Sequence, residues 1–384
     1  MASNNAPRQK IVLAVDWFTP AFRAGGPIRS TANLVELLVE TYDVWVVCGA
    51  FDLGVEEPMD IPVNAWQTLP YEKGSAKIMY CTRDRWNSQQ WQRVFQEIHP
   101  DWLHLNSVFS KSFTLTPLRV ARKFPRMKVV LAPRGMLGTA ALSIKPLKKR
   151  MFLSYARAVN LFRDVRWHAS TELERKEILG QLIGTDIHVA QNLSTRPPME
   201  VAGRPSARWN IVVVGRIHRV KNLEFGLSAL LHTPSSRPIS LTFIGPIEDE
   251  NYRSELELLG GAQAEIEVHF AGGVEPTKLG VYLDAAHYLL SPTTQENFGH
   301  SIVEAWAHGC PVLISDRTPW LDLEAKGIGW DWPLEKSTWE KGLTEAFNLS
   351  HQAWELKSIA ARKYFDEHVR NDDADEANLK LFSS

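Results

Sequence analysis

The chain has 384 residues, 44% of them hydrophobic and 23% charged, with 43 Lys and Arg against 44 Asp and Glu. That length exceeds one average domain and fits two cores, and the composition excludes a disordered or fibrous chain. A formal net charge of -1 supplies no global basic field, which excludes bulk attraction to nucleic acid as the organising function.

Taken in chain order, short β-branched runs alternate with amphipathic stretches, the pattern of βα units and parallel sheets rather than of a sandwich. Ile11–Val15, Val44–Cys48, Trp102–Leu105 and Val129–Ala132 read as strands, with helical periodicity over Ser30–Thr41 and Gln89–Ile98. A first domain is therefore expected over residues 1–195. The segment Asn192–Arg208, holding Pro197, Pro198, Gly203 and Pro205, has linker composition. A second domain is expected over 196–365, with strands at Ile211–Val214, Leu241–Ile244, Glu267–Phe270, Tyr288–Ser291 and Val312–Ser315 forming another doubly wound sheet. Gln352–Val369 reads as a long helix and the acidic Asn371–Glu376 as solvated, and the tail 366–384 is expected to cross back to the first domain.

Cys48, Cys81 and Cys310 are odd in number, far apart and without metal-ligand spacing, so buried thiols in a reducing compartment are expected rather than disulfides or a zinc site. No apolar run approaches the ~18 residues that suggest a membrane span. The polar start Met1–Lys10 is followed only by a short strand-like run. These features predict a cytoplasmic protein, peripheral on the inner face of the membrane if any surface binds lipid.

Candidate site residues in the first half cluster at strand ends. Gly25 and Gly26 precede Pro27 and a helix, where backbone amides can approach a ligand closely. In His104-Leu105-Asn106-Ser107, Asn106 can hydrogen-bond but not titrate, and His104 reads as a core histidine or an acceptor-side group. Arg134, between Pro133 and Gly135, reads as a holder of phosphate or acceptor, or as a structural arginine paired with a carboxylate. Residues 145–166 interleave Lys145, Lys148, Lys149, Arg150, Arg157, Arg163 and Arg166 with Met151, Phe152, Tyr155 and Phe162. Such a stretch is either a solvated helix face or a surface that rests on an anionic membrane.

In the second half, Arg216 and Lys221 follow a strand and can converge on a phosphate pair, one as a fork of donors and the other as a point charge. Gly272 and Val274 lie in a βα turn after another strand. The strongest feature runs from Ser291 to Ala305: it leaves a strand, turns through Gly299 and opens a helix near Ser301, with seven residues between Glu296 and Glu304. Unpaired N–H groups at such a helix start form an anion site fit for a diphosphate. A carboxylate one turn into the helix can accept both hydroxyls of a ribose, and one on the loop can reach a sugar.

These residues resemble retaining glycosyltransferase family four, with its Glu-x7-Glu signature and Gly-Arg-x4-Lys diphosphate clamp; the stretch Ala132–Leu137 is similar to a subgroup acting in surface-polysaccharide and lipopolysaccharide assembly. The resemblance implies the GT-B fold, an α/β architecture of two Rossmann-like doubly wound parallel-sheet domains facing a central cleft. It implies that Glu296 contacts the transferred sugar, Glu304 holds the ribose, Arg216 and Lys221 clamp the diphosphate, and Phe298, Gly299, His300 and Ser301 line sugar and phosphates through backbone groups. Gly272 and Val274 would read the nucleotide base, and Gly25 and Gly26 would face the donor phosphates. Asn297 and His300 depart from the commoner Gly and aliphatic residues, so the donor sugar does not carry over. Many members place a His where Asn106 falls.

No Asp-x-Asp stands on a loop after a strand, the acidic Asp372-Asp373-Ala374-Asp375 being in the wrong context, so a metal-independent reaction without cofactor is expected. The implied reaction moves a sugar from a nucleotide-sugar donor to a glycan or lipid-linked acceptor. Competing classes are an epimerase or phosphorylase, an NAD-dependent oxidoreductase, which would need a glycine fingerprint the chain lacks, and a catalytically silent nucleotide-binding scaffold.

Overall fold

The computed structural model describes residues 7–181, 185–197, 204, 207–235, 237–261 and 266–383, with the side chain of Ala140 left aside. The chain divides into two compact units: Met1–Leu193 together with Asp372–Ser384, and Ser194–Asn371. Of the linker-like stretch 192–208, residues 198–203 and 205–206, with Pro198, Gly203 and Pro205, lie outside the described residues.

The first unit is built on an eight-stranded sheet: β1 (Lys10–Val15), β2 (Asp43–Gly49), β3 (Trp66–Tyr71), β4 (Gly74–Cys81), β5 (Trp102–Asn106), β6 (Lys128–Ala132), β7 (Val165–Ala169) and β8 (Ile187–Val189). Their order is β3-β4-β2-β1-β5-β6-β7-β8, parallel throughout except for the antiparallel β3–β4 pair. Ile11 to Val15 are all buried, as a strand covered on both faces requires. Direction of winding reverses between β1 and β5.

The second unit carries six parallel strands: β9 (Trp209–Val214), β10 (Ile239–Ile244), β11 (Ile266–Gly272), β12 (Tyr288–Ser291), β13 (Val312–Ser315) and β14 (Gly329–Trp332). The order β11-β10-β9-β12-β13-β14 is the 3-2-1-4-5-6 winding of dinucleotide-binding sheets. Its reversal falls between β9 and β12. In such sheets ligands sit outside the carboxyl ends of the strands at that reversal, which directs attention to the loops after β9 and β12.

Several strands had no sequence signal. β3 is a half-exposed edge strand carrying Pro70, which an edge tolerates because its N–H side needs no partner. Arg166 and His168 interrupt the apolar run of β7. The acidic segment expected to be solvated forms the helix Asp372–Lys380 with Asp372, Asp373 and Glu376 exposed, and its Asp372, Asp373 and Asp375 favour a helix start. Its Ala374 and Asn378 are buried, and Leu381 and Phe382 behind it enter the first unit's core beside Tyr42 and Trp102. Arg166 donates to the carbonyls of Leu381 and Ser383 at 2.9 and 2.8 Å. The helix His351–Tyr364 continues through a wider turn, Phe365–Val369, as the periodicity predicts. Within the second unit the first and last segments meet: Arg196 donates to the Arg370 carbonyl and approaches Asp366 at 3.5 Å.

Candidate active site

Three strand ends of the second unit run side by side. Gly215 N–H donates to the Ile244 carbonyl at 2.9 Å, Ile217 N–H to that of Pro246 at 2.9 Å, and Gly245 N–H to that of Gly272 at 2.8 Å. Gly245 has φ 155°, and a Cβ there would overlap the Gly215 carbonyl, so only glycine lets these loops pass. The loop after β12 is tied to the loop after β9. Asn222 Nδ2 donates to the Pro292 carbonyl at 3.1 Å, Thr294 Oγ1 to that of Val220 at 3.2 Å, and Ser315 Oγ to that of Thr293 at 2.6 Å.

That lacing brings Lys221 Nζ to 2.9 Å from Glu296 Oε2, with the two side chains 22% and 20% exposed. The Glu296 N–H donates to the Arg317 carbonyl, and its Oε1 accepts from the Asn297 N–H at 3.1 Å. Burial alone would push the carboxyl's pKa up. The Lys221 ammonium and its hydrogen bond, the Asn297 N–H and the His300 charge outweigh burial and hold it below the ordinary value.

Arg216 goes elsewhere. Its guanidinium is exposed and takes both oxygens of Glu248, from the loop after β10, at 2.9 and 3.0 Å. The expected pair of cations therefore stands on two different carboxylates. Glu248 was not foreseen, although the acidic run Glu248-Asp249-Glu250 behind a strand was there to be read.

Gly299 starts the helix His300–Ala307 at φ 81°. A Cβ there would lie 2.8 Å from Ile302 Cδ1 and 3.3 Å from Glu296 Cγ, so the glycine seats both the helix and Glu296. Phe298 is buried against Trp320, whose indole N–H donates to the Phe298 carbonyl; that backbone oxygen is committed to packing rather than to lining the loop. His300 stacks its edge on the Phe298 ring, centroids 4.9 Å apart. Asn297, Ser301 and Glu304 are half-buried, Glu304 one turn into the helix. At the far end Arg362 donates to the Ala307 carbonyl at 2.8 Å and Arg204 to that of Gly309 at 3.1 Å. Buried cations there complement the helix dipole and leave its positive end toward Gly299. Gly272, at φ 69°, has no described atom within 4 Å of where a Cβ would stand, and Val274 is half-buried beside it.

In the first unit Gly25 is left-handed at φ 67° and Gly26 opens the helix Gly26–Leu38. Asp52 holds this turn by accepting the N–H groups of Phe22, Arg23 and Leu53. Asp16, at the end of β1, accepts from Ser110 Oγ at 2.7 Å; burial, partly offset by that bond, raises its pKa to about 6. Asn106 is a hub: Oδ1 accepts from Arg134 Nε at 2.9 Å and Nδ2 donates to Thr31 Oγ1 at 2.6 Å. His104 reaches no solvent, lying within β5 between His168 and Phe382, and burial holds it neutral. Sequence spacing missed Asp16, Glu174 and Asn192, the last two partners of the Arg134 loop.

The basic stretch forms the helix Pro146–Ala158. Ile144, Leu147, Met151, Tyr155 and Val159 are 61, 72, 64, 54 and 44% exposed and recur at helical spacing. No acidic residue occurs from 144 to 163. Phe162 and Arg166, counted with this surface in the sequence, instead turn inward, Phe162 onto Trp167 and Arg166 onto Trp102 and the chain's end. Among the described residues no helix is long and apolar enough to cross a membrane, and no three His, Cys, Asp or Glu side chains gather as a metal-ligand set. Cys48, Cys81 and Cys310 are free and buried.

Residues 198–330, about a third of the chain, match the family model of glycosyl transferases group 1. Arg216, Lys221, Glu296 and Glu304 all lie inside the match. A sequence search of curated proteins finds no match. Among solved structures, Anabaena Alr3699/HepE in complex with UDP and glucose superposes over 97% of this chain and 98% of its own, with TM-score 0.66 at 15% identity. WaaG, a glycosyltransferase involved in lipopolysaccharide biosynthesis, does so over 97% and 100% with TM-score 0.66 at 15% identity. A glycosyltransferase from Rickettsia africae covers 98% of each chain with TM-score 0.68 at 13% identity. At such identities the likeness speaks to the fold, and the group 1 match speaks to the chemistry of the second unit. The chain is a glycosyltransferase of GT-B architecture, and the stretch that matches group 1 holds both Lys221 and Glu296.

Proposed function

We propose that the protein transfers a sugar from a nucleotide-sugar donor to a glycan or lipid-linked acceptor with retention at the anomeric carbon, as a family-four enzyme would, and without a metal or cofactor. The observation that carries this reading is the Lys221–Glu296 pair at the winding reversal of the second sheet, beside the start of the helix His300–Ala307. UDP and glucose in the Anabaena relative support a nucleoside diphosphate donor.

In this reading the diphosphate lies over Gly299, His300 and Ser301, with Lys221 and Arg216 supplying fixed positive charge as the leaving group develops its own. Arg216 exchanges Glu248 for phosphate oxygens. Glu304 takes the ribose hydroxyls, the main chain at Gly272 and Val274 meets the base, and Glu296 and Asn297 orient the sugar. Gly25 and Gly26 present amides to the donor phosphates, and Asn106 and Arg134 serve the acceptor. The acceptor oxygen bonds to the anomeric carbon on the face from which the diphosphate departs, and the leaving phosphate oxygen takes the hydroxyl proton. In this reading the helix Pro146–Ala158 rests on the anionic inner face of a membrane, as suits an enzyme of polysaccharide or glycolipid synthesis.

A thermal-shift panel of UDP, GDP, TDP and ADP with their sugar conjugates, run with chelator on wild type and Arg216→Ala, tests the donor. At ~100 times its Kd a ligand adds about 2.7 kcal/mol of stability. A selective shift lost in Arg216→Ala supports the clamp, and no shift with any nucleotide refutes the reading. Product stereochemistry by NMR then decides the rest, because an inverted anomeric centre is incompatible with same-face attack.

A further inference from the structure

Arg134 is a largely buried cation that no carboxylate among the described residues touches: burial opposes its charge, and Glu174 favours it only through space. Its Nε donates to Asn106 Oδ1 at 2.9 Å and its Nη1 to Asn192 Oδ1, and both acceptors are neutral amides. Its Nη2 has no hydrogen-bond partner among the described residues and is not among the fully enclosed, unsatisfied atoms.

The carboxylate nearest in charge is Glu174, and it is spent. Its Oε1 accepts the Gly135 N–H at 2.6 Å, and its Oε2 accepts both the N–H and the hydroxyl of Ser170 at 2.7 Å. Glu174 thus fixes the loop that carries Arg134 without touching the guanidinium. Behind the guanidinium lie His104 and His168, both kept neutral by burial first and by the Arg134 charge next. Arg134 and Gly135 are both left-handed, at φ 56° and 74°, a conformation that costs energy at the arginine.

A cation taken out of water without a counter-charge is expensive, and the fold retains one where something else supplies the anion. With Nε and Nη1 held by two carbonyls, the planar group is preset to offer its remaining donors as a fork to an oxyanion. We infer that Arg134 is the recognition point for an anionic group, a phosphate or carboxylate, borne by the acceptor substrate. The assignment rests on the glycosyl-transfer reading above. It favours acceptor over donor because the donor diphosphate already has two cations of its own, Arg216 and Lys221, in the second unit. Twelve residues beyond Arg134 begins the exposed basic and apolar helix Pro146–Ala158, which suits an acceptor carried on a phosphate at a lipid surface.

The test uses the full chain and three variants, Arg134→Gln, Arg134→Lys and Arg216→Ala. Inorganic phosphate, glucuronate and, separately, the nucleotide found by the donor panel are titrated in, with thermal shift and phosphorus NMR line width as readouts. Phosphate or glucuronate is expected to bind wild type over saturating nucleotide, to bind Arg216→Ala, which no longer holds nucleotide, on its own, and to bind Arg134→Gln over saturating nucleotide at least about 30-fold more weakly than wild type. That factor is the low end of what losing one partner of a desolvated charge pair costs. Whichever probe binds more tightly names the group. Arg134→Lys keeps the charge but not the fork and should fall between, and it carries the test if Arg134→Gln does not fold. Without ligand, Arg134→Gln should melt no lower than wild type, because a buried unpaired charge is gone.

Unchanged anion binding in Arg134→Gln, or a lowered melting point with anion binding intact, overturns the proposal and makes Arg134 structural. Weakened nucleotide binding in Arg134→Gln overturns the acceptor assignment in favour of the donor diphosphate. If no nucleotide binds wild type, the transfer reading fails by itself, while the phosphate and glucuronate arms still report on Arg134.

Discussion

Lys221 and Glu296 stand close to the limit at which an ion pair matters: screened at the surface it contributes little, and buried it penalises the loss of either partner. Removing the ammonium by Lys221→Met leaves the carboxylate in a site where burial opposes its charge. Such a variant should lose about 1–3 kcal/mol at pH 8. It should lose less near pH 5, where Glu296 escapes by taking a proton, and urea melts at both pH values read the difference. An equal loss at both would mean that packing, not charge, was removed. Asp16 shows the opposite sign. Its pKa of about 6 lies above the ordinary 3.8, so the folded state binds the extra proton between those values. The stability it contributes is complete below about pH 4 and gone above about pH 6. Asp16→Asn should therefore raise the melting temperature at pH 8 and leave it nearly unchanged at pH 4; a gain at both would point to relief of something other than charge.

At the scale of elements, the helix Pro146–Ala158 makes the sharpest prediction. Its inner face, with Leu153 and Ala156 buried and Phe152 against Phe109, is already paid for by packing, so the apolar stripe from Leu147 to Tyr155 serves no core. Wild type should co-sediment with phosphatidylglycerol vesicles at low salt and not with phosphatidylcholine, each basic residue near the surface contributing about 1 kcal/mol. Leu147→Glu with Tyr155→Glu should abolish this without changing nucleotide binding; sedimentation that persists would move the contact to another surface, and wild type that stays in solution would remove the membrane from the proposal. The same helix marks how far sequence reading went. Periodicity and basic residues exposed the stretch, yet Phe162 and Arg166 could not be told from its surface residues, because inward turning depends on Trp102, Trp167 and a chain end over 200 residues away. Central strands were legible because burial on both faces leaves continuous apolar runs, whereas β3, β7 and β14 are short, edge-placed or interrupted by polar residues. Glu296, Glu304, Arg216 and Lys221 were legible because they sit at fixed offsets from a strand end. Glu248, Asp16, Glu174 and Asn192 act across loops brought together only by sheet order, which spacing does not encode.

At the scale of the whole chain, the first unit is not complete without residues 372–384. Leu381 and Phe382 are fully buried in its core, Asn378 donates to the Gln191 carbonyl, and Arg166 holds the terminus. Deleting residues 372–384 removes two buried large side chains at about 1.5–3 kcal/mol each. Calorimetry of the shortened chain should show the first unit melting earlier or not at all, with the second unit's transition unmoved; an unchanged trace would make the tail an ornament.

The meeting of Arg196 with Arg370 and Asp366 has a separate consequence. Because residues 194 and 371 bound one compact body whose two ends touch, that body is, in genetic terms, a cassette set into a reading frame that resumes after it. A sequence encoding 1–193 joined by a few glycines to 372–384 would restore the outer gene product. On the proposed reading, exchanging 194–371 for the matching cassette of another enzyme would change which activated sugar is spent while leaving the recipient's recognition to the host.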